Sequence, residues 1–480
     1  MKKSSRESWS GQLGFILASA ASAIGLGNLW RFPYLTAKYG GGIFLLVYFL
    51  LLLTIGAMLM TTEIALGRKT RLSPLHGFGK LVKSWSFLGI LFVAVSAVIL
   101  PYYIVIGGWI LKYVFAYAFI PQEITDAAHP ANTAFFSNFI SNPSQSLLFA
   151  GMFFAMSALF IVMGVKNGIE KMNKILMPAL FFLAIAIAGY VCMQPNAIEG
   201  IKYYLVPDLN KFYVETNGTS HFSFTMLCKT IVAAMGQMFF SLSLAMGIMV
   251  TYGSYMKKSD NIENSTWHIE FCDTIVAIIA GLMIIPAAFA FPPAGQTGIE
   301  AVSQAGPGLL FETLPRVFTQ MQAPKMITLS FFVLVLAAAL TSSVSMMETL
   351  QSSIKDKMKW SRKKSVTILS VYILIMMIPH SLCYSNACKG FFSKKILGME
   401  FLSLNDFLAN SVLMPLGAFA LCIFVGWILK PNFIIREIET KGNTFKLKKF
   451  YSLTIKWIAP IFIAIILVTC ILSGLKIIDI

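Results

Sequence analysis

With 480 residues, 57% of them hydrophobic and 12% charged, and a mean hydropathy of +0.74, the chain is too apolar for a soluble globular protein. A formal charge of +17 could suit nucleic acid, but its placement along the chain points to a membrane instead and gives no reason to expect a nucleic-acid partner. Eleven apolar segments are centred near residues 22, 52, 98, 155, 183, 240, 281, 337, 373, 416 and 466. Each is long enough for the roughly 20 residues of a spanning helix, so the chain reads as one polytopic membrane domain.

With the N-terminus inside, the cytoplasmic ends and loops hold 26 of the 38 Lys and Arg, and the external ones hold 12. Lys2, Lys3 and Arg6, then Arg68, Lys69 and Arg71, Lys355 to Lys364 and Lys430 to Lys456 are internal, whereas the long external stretch 120–147 has none. This positive-inside bias predicts a multi-pass protein of the cell's inner (plasma) membrane with a cytoplasmic N-terminus. The first apolar stretch runs on past any small-residue cleavage site, so a cleaved signal peptide is not expected. The seven cysteines show no zinc spacing. Cys383 and Cys388 fall in a predicted external loop, where they either pair or stay free.

The first span contains Ala21-Ser22-Ala23-Ile24-Gly25-Leu26-Gly27-Asn28, followed by Leu29-Trp30-Arg31-Phe32-Pro33. Small residues, two glycines and an amide stand where an unbroken run of Leu, Ile and Val would be ordinary. Either the helix is kinked against a close neighbour, or it is unwound and its freed backbone groups serve a site. Span two, about 41–66, carries Glu63, an ionisable side chain that needs a partner at that depth. Span three carries Tyr102 and Tyr103, whose hydroxyls need partners if buried. Gly168 and Pro178 flank the inner end of span five and predict an end that can unwind. Asn217-Gly-Thr219 matches a glycosylation acceptor, with meaning only in a glycosylating pathway.

Span six repeats the oddity of span one: Gln237-Met-Phe-Phe240-Ser241-Leu-Ser243-Leu-Ala245-Met246-Gly247 places hydroxyls, alanine and glycine at mid-membrane. Interrupted helices at corresponding positions of two five-span runs point to a transporter site built from inverted repeats. Asp273 in span seven and Ala338-Ala-Leu-Thr341-Ser342-Ser343 in span eight add a carboxylate and hydroxyls. Together with the Asn28 amide oxygen and freed carbonyls they suit a hard cation held by oxygen alone, while no His/Cys set for zinc or copper exists. Asp273 is either such a ligand or a solvated residue near the helix start.

These stretches resemble the neurotransmitter:sodium symporter family, particularly its bacterial eleven-span amino-acid transporters. The likeness extends from Trp9 through span eleven and is carried by Gly25 to Pro33, Ser241 to Gly247, the Gly168–Pro178 spacing and Thr341-Ser-Ser343. It implies an all-α polytopic fold with five-plus-five inverted repeats, about 10–195 and 222–430, broken helices one and six, and an eleventh span at about 452–476. It implies sodium-coupled symport of neutral, hydrophobic or aromatic amino acids by alternating access.

One sodium would lie near the Ala23 carbonyl, Asn28, Ser241 and Asp273, a second at the Ala21, Ile24 and Ala338 carbonyls with Thr341 and Ser342. The substrate carboxylate would meet the Gly25 and Gly27 amides, with Leu26 between them, and the Tyr103 hydroxyl. Its amino group would face Ala23, Phe240, Ser241 and Ser243, and its side chain Ser22, Ile99, Phe240, Met246, Ser342 and Met346. Arg31 and Asp406, with Gln237 nearby, resemble the outer gate above an aromatic lid of Tyr103 and Phe240. Arg6, Trp9, Tyr255 and Asp356 resemble the inner gate, and Glu63 a carboxylate that steadies broken helix six.

The sequence departs from the family at Ala245, where a glycine is usual, and in stopping after span eleven where other members have twelve, which leaves a monomer or a weak homodimer. Asp273 stands where chloride-dependent relatives have a neutral side chain, so transport is expected to need no chloride. An alternative is a transport-inactive amino-acid sensor with the same fold. An enzyme is not expected, because the five histidines, His76, His129, His221, His268 and His380, are scattered.

Overall fold

The computed structural model describes residues 6–120, 129–216, 219–303, 307–385 and 399–474. Lys2 and Lys3, Asn217 of the glycosylation acceptor and Cys388 of the candidate disulfide lie outside the described residues. Among the described residues ten helices are long and apolar enough to span a bilayer, and one bent pair, Gln12–Ala23 with Gly27–Lys38, supplies an eleventh. Spans two to five are Gly42–Thr70, Lys83–Phe119, Pro143–Val162 and Val165–Cys192. Spans six to eleven are Phe224–Ser241, Ile262–Ala290, Pro324–Met358, Arg362–Leu382, Phe401–Ile428 and Lys448–Leu472. An antiparallel hairpin, Tyr213–Thr216 with Thr219–Phe222, sits between spans five and six.

Burial sorts the spans. The most apolar stretch of span eight is 78% enclosed and those of spans two and three 67%, against 28% for span eleven and 33% for spans four and five. Spans two, three and eight are thus the most enclosed, while four, five and eleven turn much of their apolar surface to lipid, as an environment no more polar than leucine permits.

Both predicted interruptions are present. The first helix stops at Ala23, Ile24 takes an extended conformation (ψ 99°), and helix resumes at Gly27 with the axis bent by 46°. In span six the first part of the singled-out stretch, 237–241, stays helical, and the break falls at 242–247, before helix resumes at Ile248–Gly253. Ser243, Ala245 and Gly247 there hold φ of +53°, +56° and +76°. The predicted unwinding of span five is not seen in this conformation. Gly168 lies in a wide helical turn, Val165–Glu170, and Pro178 within the continuous helix Lys171–Cys192. A methyl group on Gly168 would stand 2.0 Å from the Phe160 carbonyl, so that glycine lets span five approach the backbone of span four.

The helix that follows the break in span six, Ile248–Gly253, is fixed to span two by reciprocal close approach. A Cβ on Gly67 would lie 2.0 Å from the Val250 carbonyl oxygen, and one on Gly253 2.4 Å from that of Ile64. Backbone cannot yield as a flexible side chain can. We therefore expect Gly67→Ala and Gly253→Ala to force the helices apart, each at about 1–3 kcal/mol. Thermal melts of the purified protein in detergent check this: each variant should melt several degrees lower, whereas Gly189→Ala, which would meet nothing within 4 Å, should not.

Candidate functional site

Where span one breaks, its carbonyls and amides must find partners other than their own helix. Ile24 still donates to Ala20 O at 2.8 Å, but the Gly25 amide turns to Asn28 Oδ1 at 3.2 Å, which deprives the Ala21 carbonyl of its helical donor. The Ser22 carbonyl instead accepts from Ser243 Oγ at 3.1 Å and Ser342 Oγ at 3.2 Å. One oxygen of span one is thereby joined to spans six and eight.

Asp273 is fully buried beside this break, so it is no solvated helix-start residue. Asn28 Nδ2 donates to its Oδ1 at 2.8 Å, and Ser241 Oγ lies 3.0 and 3.1 Å from its two oxygens. The Tyr48 hydroxyl, absent from the sequence reading, lies 3.4 Å from Oδ2. Of the second predicted cation cluster, Ala21, Ile24, Ala338, Thr341 and Ser342 are all buried. Thr341 Oγ1 is turned back onto the Ala338 carbonyl at 2.9 Å.

Above these groups lies a small cavity of about 20 Å³, room for roughly one water. Its lining contains every predicted substrate residue except Ser241, whose hydroxyl faces Asp273, and adds Ile248. Gly25 and Gly27 keep the backbone open to this space. A Cβ on Gly25 would lie 2.6 Å from Ser342 Oγ and 3.3 Å from the Tyr103 hydroxyl, and one on Gly27 2.7 Å from the Phe240 ring. Among the described residues the buried Tyr103 hydroxyl has no hydrogen-bond partner of good geometry, and neither has the Ser22 hydroxyl.

Tyr103 and Phe240 also line a second cavity of about 240 Å³, a vestibule shared with Arg31, Tyr102, Asp406 and Asn410. The two aromatics thus separate vestibule from pocket. The predicted Arg31–Asp406 ion pair is not formed here. Arg31 lies over the Phe240 ring at 5.6 Å, and its Nη1 has no hydrogen-bond partner among the described residues. Asp406 is held instead by the Tyr102 hydroxyl at 3.0 Å and Asn410 Nδ2 at 2.7 Å. Gln237 Nε2 donates to the Gly27 carbonyl at 2.9 Å, which binds span six to span one below the vestibule.

The face that bears the N-terminus is shut. Arg6 grips both oxygens of Asp356 at 2.8 and 2.7 Å, donates to Ser254 Oγ at 2.8 Å, and lies 4.9 Å over the Tyr255 ring. Trp9 packs edge-on against Tyr252 and Tyr255 and donates to the Tyr252 carbonyl at 3.0 Å. Sequence reasoning missed the supports of this closure: Glu348, which accepts from Tyr255 and Arg362, and Glu7, which accepts from Arg362 at 3.0 Å and from the Val165 amide at 3.0 Å. Burial would raise the Glu7 carboxyl, but Arg362, that amide and Lys355 together hold it below its ordinary value. Its stabilising contribution is therefore present at neutral pH and lost as pH falls below the ordinary carboxylate range.

Glu270, one turn before Asp273, was also missed; it is buried, and neither oxygen has a hydrogen-bond partner among the described residues. An ionisable residue within an apolar span was the available signal for both Glu270 and Glu348. Glu63 does what was expected of it, accepting the Ala245 amide at 2.7 Å, and Ser96 Oγ holds the next carbonyl, Met246, at 2.7 Å. Left-handed backbone costs an alanine roughly 1–2 kcal/mol that glycine avoids. Ala245→Gly should therefore be neutral or stabilising by up to about 1 kcal/mol in a thermal melt. Ala234→Gly, within the helix, should cost about 1 kcal/mol by the same measurement.

Three comparisons place this geometry among known proteins. A model described as the sodium:neurotransmitter symporter family matches residues 6–134 and 137–476. The uncharacterized sodium-dependent transporter YhdH of Bacillus subtilis is 33% identical over 464 residues, 95% of this chain and 96% of that one. A sodium-dependent transporter of Haemophilus influenzae is 30% identical over 478 residues, 97% of this chain and 98% of that one. The crystal structure of MhsT in complex with L-phenylalanine matches with a TM-score of 0.82 at 36% identity, covering 97% of this chain and 100% of that one.

Proposed function

We propose that this chain, which belongs to the sodium:neurotransmitter symporter family, couples sodium entry to uptake of neutral amino acids with large apolar or aromatic side chains. In this reading it needs no chloride and catalyses no covalent chemistry, and the N-terminal face is cytoplasmic. The observation that carries it is the fully buried Asp273 carboxylate, gathered with Asn28 and Ser241 against the broken first span.

Sodium here is cargo, bound by oxygen. Asn28 now turns its NH2 to Asp273 and its oxygen to the Gly25 amide; a cation requires it to turn over and present that oxygen. The Gly25 amide is then released to meet a substrate carboxylate beside Tyr103. Ion and amino acid thus prepare each other's ligands, which is coupling in the thermodynamic sense. Sodium and a zwitterion leave one positive charge in a dry site. Two unit charges about 4 Å apart interact by roughly 4 kcal/mol at an effective dielectric of 20, so a fixed carboxylate balances that charge without a diffusible anion.

Ile99, Met246, Ile248 and Met346 form the apolar wall, and the lining includes no Lys, Arg, Asp or Glu to meet a charged substrate side chain. The cavity is smaller than any such substrate, so entry must displace Phe240 and repack the flexible methionines. The L-phenylalanine held by MhsT agrees with that wall. The open vestibule and the closed Arg6–Asp356 gate belong to a state that receives substrate from the outer face.

In proteoliposomes, labelled L-phenylalanine should accumulate with an inward sodium gradient and not when potassium replaces sodium. A sensor that has lost transport would show binding without flux. Replacing chloride with gluconate should leave wild-type flux unchanged, and Asp273→Asn should lose flux or become chloride-stimulated. A wild type that stops in gluconate overturns the charge-balance reading. In competition, excess Tyr, Trp or Leu should suppress phenylalanine uptake, and the same excess of Gly or Glu should not.

A further inference from the structure

The inner face carries a feature that the transport reading leaves unused. After span ten a short helix, Pro431–Ile438, folds back along the inner face, and span eleven begins at Lys448. Between them lies a cleft of about 560 Å³ whose walls include Asn432, Arg436, Glu439, Lys448, Lys449 and Ser452. The other acid of that helix, Glu437, is buried and occupied by Arg68 at 3.0 Å and Lys69 at 3.4 Å. Glu439 pairs with Lys448 at 3.5 Å. The exposed Arg436 guanidinium and Lys449 ammonium make no hydrogen bond or ion pair among the described residues. Three cations therefore face one carboxylate, and the two unpartnered ones suit an anion, the guanidinium offering a planar fork to phosphate oxygens.

The cleft opens onto lipid-facing surface. Along span eleven, Leu453, Trp457, Ile461 and Ile465 follow Lys449 at four-residue steps, and all four are exposed. Trp457 meets Trp427 of span ten edge-on at 4.8 Å, with Lys456 Nζ 5.0 and 5.6 Å from the two ring centroids. An aromatic pair capped by a lysine marks the boundary between headgroups and acyl chains. The basic cleft lies on the polar side of that boundary, and Ile461 and Ile465 lie on the apolar side.

We propose that this cleft binds the headgroup phosphate of an anionic phospholipid in the leaflet on the N-terminal side, with the acyl chains lying along the ridge of Ile461 and Ile465. A soluble anion would use the cations and leave the ridge without a role, which is why the lipid is the occupant argued for. The site fixes the junction of spans ten and eleven, away from the substrate pocket, so it stands or falls apart from the transport reading.

The test is tryptophan quenching in the full chain reconstituted in phosphatidylcholine vesicles containing either brominated phosphatidylglycerol or brominated phosphatidylcholine. The anionic lipid should quench more strongly at equal mole fraction, and Trp427→Phe with Trp457→Phe should abolish that excess. Arg436→Gln with Lys449→Gln should raise the phosphatidylglycerol fraction needed for half-quenching about tenfold. Equal quenching by the two lipids, an excess that survives loss of the two tryptophans, or no shift in the charge variant would each overturn the proposal. Reversal of the excess by millimolar inorganic phosphate would also overturn it, in favour of a soluble-anion site.

Discussion

A peptide group that leaves its helix inside a bilayer has no water to turn to, and the centre of this molecule is arranged to meet that constraint. The two breaks satisfy each other and their neighbours. The Ser22 carbonyl takes hydroxyls from spans six and eight, the Gly25 amide takes the Asn28 oxygen, the Ala245 amide takes Glu63, and the Met246 carbonyl takes Ser96. Four of these five partners are side chains brought from other helices. The site is therefore also the joint of the bundle, and a ligand that enters it must exchange hydrogen bonds that now hold helices together.

The same economy explains the asymmetry of the two ends. The face that bears the N-terminus is closed by charge and aromatic contact at once: Arg6 on Asp356, Trp9 on Tyr252 and Tyr255, and Glu7 and Glu348 on Arg362. The vestibule side keeps Arg31 and Asp406 on different partners, a ring and a phenol. A desolvated ion pair gains or loses more than a surface pair when broken. Closure at one end and separation at the other are thus compatible with a two-state element biased by what fills the pocket.

Reading these features from sequence worked where local chemistry contradicts its surroundings. Glycines and an amide in an apolar span, a carboxylate in span seven and a tilt of lysines toward one side are visible without a fold, because lipid makes each of them costly. That is why the breaks, Glu63 and Asp273 could be named, whereas the residues around the pocket were named through the resemblance to the symporter family. Tyr48 and Glu7 were missed because their partners lie far away in sequence. Tyr48 reaches Asp273 across 225 positions, and Arg6 reaches Asp356 across 350.

By itself the sequence determined the number of spans, the places where two of them break and the kinds of group set at mid-membrane. Those follow from the near-binary cost of polar groups in hydrocarbon, which acts residue by residue. Only the tertiary structure decided that span five is wound, that the break in six begins after Ser241, that Arg31 rests on Phe240 instead of Asp406, and that the pocket is nearly closed. Such features depend on competition between alternative partners of similar energy, and that competition is settled by which helices stand within reach.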